Sequence, residues 1–309
     1  MRLYWSLDDI NLDNAWVTIG SFDGVHIGHQ SIITNLTAGA SHARIPAVVL
    51  TFHPHPAVVV RDRRGPFYLT SPEERAELLF NLGVDIVIIH PFDKHVSIRS
   101  AKEFVTNLKN QLGFTHLCVG HDFALGRDRE GDIPTLRMIG EQLDYSVSVV
   151  DPIRQADRLI SSRVIRAELS QGEVGAASQL LGRHYWLEGR VIHGDGRGHS
   201  IGFPTANMQI WSERLIPRKG VYACTVDFDG ESYSAVTNIG VRPTFVQHGE
   251  DSWVETHLLN FSGKLYDRTI RLNFIQRLRD ERRFSGVEAL VEQINQDILN
   301  TKEILKEQI

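Results

Sequence analysis

The residues from Gly20 to His29, reading GSFDGVHIGH, bring two imidazoles and three glycines into ten positions. His26 and His29 are three apart, so a helix beginning near Val25 places both on one face of its first turn. Gly20, Gly24 and Gly28 let the backbone approach a ligand closely and take up positive φ. This combination suits an anion. Backbone N–H groups and the positive end of a helix dipole face it, and imidazoles donate to oxygens that gain charge in a transition state. Two other readings are a tight turn with incidental histidines and a metal site. For the metal, no Cys or His set stands nearby to complete a tetrahedron.

The elements around this segment decide whether it can work. The apolar run 15–19 reads as a buried strand, and Ile32, Ile33, Leu36 and Ala40 mark one face of the helix that follows. Strands over 47–52, 85–90, 116–120 and 145–150 then alternate with helices over 71–82, 100–112 and 135–143. Ser71, Pro72 and Glu74 give the first of those helices a capping-box start. Such alternation predicts an α/β, Rossmann-like parallel sheet covered by helices on both faces, with ligands beyond the carboxyl ends of its strands.

Three more candidate segments fall in this half. In Phe52-His53-Pro54-His55-Pro56 the prolines hold the chain extended. Phe52, His53 and His55 would then face a flat aromatic ligand, or else form a rigid loop with exposed histidines. In Gly120-His121-Asp122-Phe123, Asp122 could hydrogen-bond a ligand and Phe123 support a ring; the alternative is a turn pegged by a buried Phe. Ser161 and Ser162 offer an N-cap and hydroxyl donors at a helix start, and Arg166, about one turn on, can reach a phosphate on the same side; the alternative is an ordinary capped helix.

The texture changes at residues 181–184. A short helix ends at Gly182, and runs over 186–193, 221–228, 232–236, 253–259 and 269–278 read as short strands. Asp229-Gly230 is a hairpin signal. These predict a small, mostly antiparallel β-barrel, followed by a C-terminal helix whose stripe of Val287, Leu290, Val291, Ile294 and Ile298 is expected to pack on it. Gly194, Gly196, Gly198 and Gly202 make a loop able to wrap phosphates. It is neither a Rossmann fingerprint nor a P-loop, because spacing, context and the Gly-Lys-Ser/Thr triplet are missing. Thr205 and Asn207 alternate on a strand-like segment, so both oxygens could point to one face as hard donors suited to Mg²⁺ carried with ATP; the alternative is a plain glycine-rich turn. Glu255 faces away from Val254 and Thr256. It is either an acid/base group or a residue of the solvent face.

Composition bounds the function. The chain has 309 residues and a net charge of −5, against a general nucleic-acid or anionic-membrane binder. No run approaches a membrane span and the N-terminus has no apolar leader, so a cytoplasmic protein is expected. Cys118 and Cys224 are the only cysteines and read as packed thiols.

Taken together, GSFDGVHIGH, Thr51-Phe52-His53-Pro54-His55-Pro56, Gly120-His121-Asp122-Phe123-Ala124-Leu125-Gly126 and Ser161-Ser162-Arg163-Val164-Ile165-Arg166 resemble the adenylyltransferase domain of bacterial FAD synthetases, over residues 15–182. Leu125 stands where that family usually has Phe, and Arg163 where it usually has Thr. The segments Gly202-Phe203-Pro204-Thr205-Ala206-Asn207, Glu255-Thr256-His257, Asn238 to Phe245 and Leu278-Arg279-Asp280-Glu281 resemble riboflavin kinases, over residues 183–300. Asn260 and Asp267 replace a usual Asp and Gly there, both compatible with turns.

The resemblance implies an FMN adenylyltransferase domain over 1–182 and a riboflavin kinase domain over 183–309. Together they would phosphorylate riboflavin to FMN and adenylylate FMN to FAD, each from ATP. It implies Glu255 as general base, and His26, His29 and Arg166 as transition-state donors. ATP and phosphate would lie against Gly20, Phe22, Asp23, Gly24, Gly28, Ser161, Ser162, Gly194, Gly196, Gly198 and Gly202. Phe52, His53, His55, Asp122 and Phe123 would serve the flavin, and Thr205 and Asn207 Mg²⁺. Partners are riboflavin, FMN and ATP, with no nucleic acid or membrane, in a monomer or weak homo-oligomer. Leu125 and Arg163 motivate a second reading, a riboflavin kinase with a weak or inactive adenylyltransferase domain. A third is a non-catalytic flavin- or nucleotide-binding regulator.

Overall fold

Runs of Val, Ile and Leu bounded by capped helices shape the first half of the chain. The computed structural model describes residues 1–63, 65–155, 158–194, 198, 201–241 and 252–306. Gly196 and residues 242–245 of the expected motifs lie outside the described residues. The chain divides into two compact units, Met1–Ser162 and Arg163–Ile309.

In the first unit, β1 (Arg2–Tyr4), β2 (Trp16–Ile19), β3 (Ala47–His53), β4 (Ile86–Pro91), β5 (His116–Gly120) and β6 (Ser146–Val150) form one sheet. Its order is β1-β4-β3-β2-β5-β6 and its pairings are parallel. The connections carry α1 (Ile27–Ala43), α2 (Pro56–Arg61), α3 (Pro72–Asn81), α4 (Lys94–Ser97), α5 (Ala101–Leu112) and α6 (Ile133–Leu143). Period-two alternation divides the strands between two cores. Val48, Leu50 and Phe52 face Phe104 and Leu108 of α5 and Leu136 of α6. Val49, Val87 and Cys118 face Ile33 and Leu36 of α1 and Leu79 of α3. The expected capping box of α3 is present, and Ser100 with Glu103 makes another at α5. After β2 the chain steps to β3 and β4 on one side, and β5 and β6 add on the other. The order therefore reverses between β2 and β5, the place in such a sheet whose carboxyl ends bind ligands. A ribbon of β7 (Arg154–Gln155) and β8 (Arg158–Leu159) follows.

The second unit takes up most of α7 (Ser162–Gln171), followed by α8 (Val174–Leu181). Then come β9 (Tyr185–Ile192), β10 (Ala206–Ile210), β11 (Gly220–Phe228), β12 (Glu231–Val241), β13 (Ser252–Leu258) and β14 (Thr269–Arg279). They close into an antiparallel barrel ordered β10-β13-β12-β11-β14-β9. The β11–β12 turn has Asp229 and Gly230 at φ 51° and 81°, the two left-handed residues a tight hairpin needs. Asn260 and Asp267, at φ 57° and 66°, also take turn conformations. Tyr222, Cys224, Val254, Thr256, Leu272 and Phe274 are buried.

The C-terminal helix α9 (Val287–Lys306) differs in part from the expected apolar dock. Leu290, Val291, Ile294 and Ile298 are half-buried, as a packed stripe requires, but Val287 is 55 % exposed, and the fully buried residues are Asp297, Thr301 and Leu305. Arg279 of β14 grips the Asp297 carboxylate through Nε at 3.0 and 3.1 Å and Nη2 at 2.8 Å. Gln293 donates to the same carboxylate at 2.8 Å. A paired, hydrogen-bonded charge is what makes that burial tolerable, and hydropathy periodicity cannot see it. Both cysteines are free and buried, and burial pushes the Cys224 thiol up to about 12.

Candidate active sites

The loop leaving β2 is built to hold its shape. Gly20 N–H donates to Leu50 O at 3.0 Å. A Cβ on Gly20 would meet the Phe22 ring at 3.0 Å, so the glycine makes room for a ring that is itself buried. Phe22 and Val25 take φ of 44° and 38° and Gly24 of 82°, which winds the chain tightly into α1. Asp23 is fully buried. Its carboxylate accepts from Leu69 N–H at 3.0 and 3.1 Å, Thr70 N–H at 3.1 Å and Thr70 Oγ1 at 3.2 Å. Gly24 N–H donates to Thr70 Oγ1 at 3.2 Å, and Ser162 Oγ donates to Asp23 O at 2.8 Å. Asp23 and Ser162, expected at a phosphate, here tie the loop down. A carboxylate would repel phosphate oxygens, and turning it toward backbone donors resolves that conflict.

The two histidines come together, but not as successive residues of one turn. The helix starts at Ile27, and His26 is its N-cap, with Nδ1 accepting His29 N–H at 3.2 Å. Accepting at Nδ1 places the proton of a neutral ring on Nε2. The His29 ring stacks on His26 with centroids 3.6 Å apart, and Phe22 meets His29 edge-on at 5.2 Å. A Cβ on Gly28 would sit 3.2 Å from the His26 ring. The missing side chain leaves room beside the Ile27 and Gly28 N–H groups, which an α-helix leaves without an internal acceptor.

The other expected residues have different surroundings. Phe52 corrects its expectation as a ligand-facing ring. It is 8 % exposed, edge-on to Phe92 at 5.4 Å and 6.2 Å from Phe104, because alternation along β3 sends it to the α5 side. His53 lies across the sheet from it, 5.7 Å from the Tyr68 ring. His55 caps α2 through Nδ1, accepting from Ala57 N–H at 3.0 Å, and lies 5.1 Å from Phe67. Asp122 stands at the carboxyl end of β5 with its side chain 79 % exposed, and Phe123 packs partly against the α5-side core. Leu125 joins that core and bridges Gly131. Ser161 is half-buried before α7, and Arg166 is half-buried on its second turn.

Two residues that sequence reasoning missed hold this site. Arg75 is fully buried, and its Nη1 donates to Thr51 Oγ1 at 2.9 Å and Phe52 O at 3.1 Å. Thr51 Oγ1 donates in turn to Ser21 O at 3.0 Å. Tyr68 accepts His55 N–H at 2.8 Å. In sequence Arg75 looks like one charge on a solvated helix. Its place in the capped first turn of α3, beside the strand carrying Thr51, was the available signal.

On the barrel, register assembles the second site. Asn207 of β10 lies opposite Glu255 of β13, and Glu255 opposite Asn238 of β12. The three residues form a row on the outer face, while Val254 and Thr256 point inward and are buried. Asn207 is 4 % exposed, and its buried Oδ1 has no hydrogen-bond partner among the described residues. A carbonyl oxygen left so is costly unless something electropositive meets it, which fits a hard cation. A Cβ on Gly194 would overlap Asn207 Nδ2, so this glycine clears the space the amide fills. Gly198 lies 3.4 Å by the same measure from Thr205 Oγ1, and its carbonyl accepts Phe203 N–H at 2.8 Å. Gly202 takes φ of 90°. Glu255 Oε1 accepts from Trp253 Nε1 at 2.6 Å. Asn238 Nδ2 donates to Glu281 Oε1 at 3.2 Å, and Glu281 also lines a cleft of about 640 Å³ with Arg218, Lys219 and Asp280. The Arg277 guanidinium, 2.5 Å away, holds the Asp280 carboxyl below the usual carboxylate range.

A parallel sheet with stacked histidines at its switch point, followed by a barrel with a carboxylate flanked by amides, is the layout of a two-domain transferase, and family models agree with that class. A family model described as FAD synthetase matches residues 9–164, and one described as riboflavin kinase matches residues 181–305. The bifunctional riboflavin kinase/FMN adenylyltransferase of Pseudomonas fluorescens is 39 % identical over 282 residues, 91 % of this chain and 90 % of that one. Those of Bacillus subtilis and Escherichia coli K12 are each 35 % identical, covering 91 % and 93 % of this chain and 89 % and 91 % of theirs. The chain belongs to the bifunctional riboflavin kinase/FMN adenylyltransferase family. A crystal structure described as a macrolide-efflux protein from Streptococcus pneumoniae matches 97 % of this chain and 98 % of that one, with TM-score 0.89 and 28 % identity. Among the described residues, no helix of this chain is long and apolar enough to cross a membrane.

Proposed function

We propose that this chain converts riboflavin to FMN at the barrel and FMN to FAD at the parallel sheet, consuming one ATP in each step. The observation that supports it is that each half holds its own constellation: stacked histidines at a switch point, and a carboxylate between two asparagines. The functional division is taken between residues 182 and 183, at the change of sequence texture and just inside the start of the riboflavin kinase match at residue 181.

In the kinase step, Glu255 accepts the proton of the ribityl 5′-hydroxyl as that oxygen attacks the γ-phosphorus of ATP. Thr205 and Asn207 would hold Mg²⁺, which when bound neutralises charge on the triphosphate. The loop of Gly194, Gly196, Gly198 and Gly202 wraps the phosphates. In the adenylyl step the FMN phosphate is already a nucleophile near neutral pH and needs no strong base. His26 Nε2–H, His29 and Arg166 donate to the α-phosphate and the departing pyrophosphate, as positioning and electrostatics dominate phosphoryl transfer. Gly20, Gly24 and Gly28 admit the phosphates. Asp23 and Phe22 act by fixing that loop. Ser161, His53, His55, Asp122 and Phe123 border the nucleotide and flavin. The protein works in the cytoplasm as a monomer or weak homo-oligomer.

Incubation with riboflavin, ATP and Mg²⁺, followed by chromatography over time, tests the reading: FMN rises first and FAD follows. His29→Ala abolishes FAD formation and leaves FMN formation intact. Loss of both activities would contradict two separate sites. The second reading, a kinase with a weak or inactive first domain, rests on Arg163, exposed at the start of α7, where the family usually has Thr. FMN accumulating with no FAD would select it.

A further inference from the structure

Trp253 and Glu255 are two residues apart on β13, so both side chains leave the same face of the barrel. The Trp253 indole N–H donates to Glu255 Oε1 at 2.6 Å, shorter than the roughly 2.9 Å of an ordinary N–H···O bond. Between them Val254, 1 % exposed, is locked into the barrel, so the strand cannot rotate to break the pair. Across β12 the residue facing Trp253 is Gly240. A Cβ there would overlap Glu281 Oε1 and lie 3.3 Å from Asn238 Nδ2. The same small residue thus faces the indole and leaves space for the Asn238–Glu281 pair that flanks Glu255.

We infer that Trp253 is a positioning residue for the kinase step, one that holds Oε1 of Glu255 and leaves Oε2 to receive the substrate proton. The inference rests on the reading of Glu255 as general base. An indole N–H donates only and has no second tautomer, so it fixes the carboxylate without competing for the proton. In the step, the 5′-hydroxyl O–H bond breaks and its proton passes to Oε2. The oxygen bonds the γ-phosphorus, and ADP leaves with the electron pair of the broken P–O bond. The Trp253 N–H stays intact throughout. A carboxylate between two asparagines has several rotamers open to it, and one short bond to a rigid ring selects among them.

The test is a double-mutant cycle on the full chain, with FMN formation measured under saturating and limiting riboflavin. Trp253→Phe keeps an aromatic ring and deletes the donor. Its kcat is expected to fall about tenfold, the effect of losing one hydrogen bond to a charged group, with KM for riboflavin and for ATP unchanged within about twofold. Trp253→His restores an N–H and recovers part of the rate. In a Glu255→Gln background the same Trp253→Phe change has no further effect on kcat, because the group it acts through is gone. Conversion of added FMN to FAD is unaffected in every variant. A Trp253→Phe enzyme with wild-type kcat, a rise in KM alone, or a kcat loss of the same size in the E255Q background would each overturn the inference. Should Glu255→Gln by itself turn over riboflavin at the wild-type rate, the base reading fails, and that result is separate from any effect at Trp253.

Discussion

His26 does two things at once, and its ring nitrogens divide them. Nδ1 accepts the His29 N–H and caps α1, which leaves Nε2 as the donor that the proposed adenylyl step assigns to a phosphate. Substitution can separate the two. His26→Ala loses both, at a cost to stability of about 1 kcal/mol for the cap. His26→Asn keeps a good capping side chain and loses the imidazole. Its melting temperature is expected to match wild type while FAD formation falls by roughly a hundredfold or more, the usual scale for a lost acid–base or donor group. Melting curves and initial rates on the same preparation check this. A His26→Asn enzyme with normal FAD synthesis would return His26 to a purely structural role. Much of this pair was legible in sequence, since the spacing of His26 and His29 put them at a helix start. The division of labour was not, because it depends on the helix beginning at Ile27 rather than Val25.

Elements explain what spacing alone leaves open. Parallel strands, capping boxes and the hairpin at Asp229-Gly230 follow from short-range patterns, and their positions emerge within a residue or two. The partners of Asp23 do not, because Leu69 and Thr70 lie 46 and 47 residues away. The face of Phe52 depends on the phase of β3, and its motif neighbours concealed that phase. The docking of α9 through Arg279 and Asp297 is likewise an ion pair 18 residues apart that an apolar stripe does not announce. The same scale yields a prediction for Gly194. Its Cβ position is filled by the Asn207 amide, so Gly194→Ala displaces Asn207 from the row beside Glu255. FMN formation is expected to fall by at least about tenfold, since tight sites lose far more than that from a displacement of about 1 Å. FMN-to-FAD conversion in the same variant stays at the wild-type rate. Equal loss of both activities would show a general folding defect instead.

For the whole molecule, two units with separate chemistry need share only a diffusible product. An equimolar mixture of Glu255→Gln and His29→Ala enzymes is expected to make FAD from riboflavin, although neither does so alone. Chromatography of the products decides it. The first unit carries its own response to mild acid. In the first unit, burial holds the His90 imidazole below its ordinary 6.5, and its Nδ1 accepts Leu7 N–H at 3.2 Å. Burial shifts His116 the same way, between Ser146 and Ser148. A lowered folded-state value means that the unfolded chain takes up protons first as pH falls below about 6.5. Stability is therefore lost from there down through the folded-state values, and is unaffected above. Calorimetry should find the first unit's transition falling between pH 7 and 5, with a shallower slope in His90→Asn, whose amide oxygen can replace Nδ1 as acceptor. A slope unchanged by that substitution would assign the acid sensitivity elsewhere.

The tethers on the loop after β2 bear on how much order a nucleotide must impose there. Gly20 N–H is bonded to Leu50 O and Val25 N–H to Phe22 O, each at 3.0 Å, and Gly24 N–H to Thr70 Oγ1 at 3.2 Å. Its amides are thus shielded from deuterium before any phosphate arrives, and docking there forfeits little chain entropy. Exchange at Gly20, Gly24 and Val25 is expected to be equally slow with and without ATP. A large slowing on addition of ATP would mean that the nucleotide assembles this cradle, whereas equal rates would mean that it meets one already set.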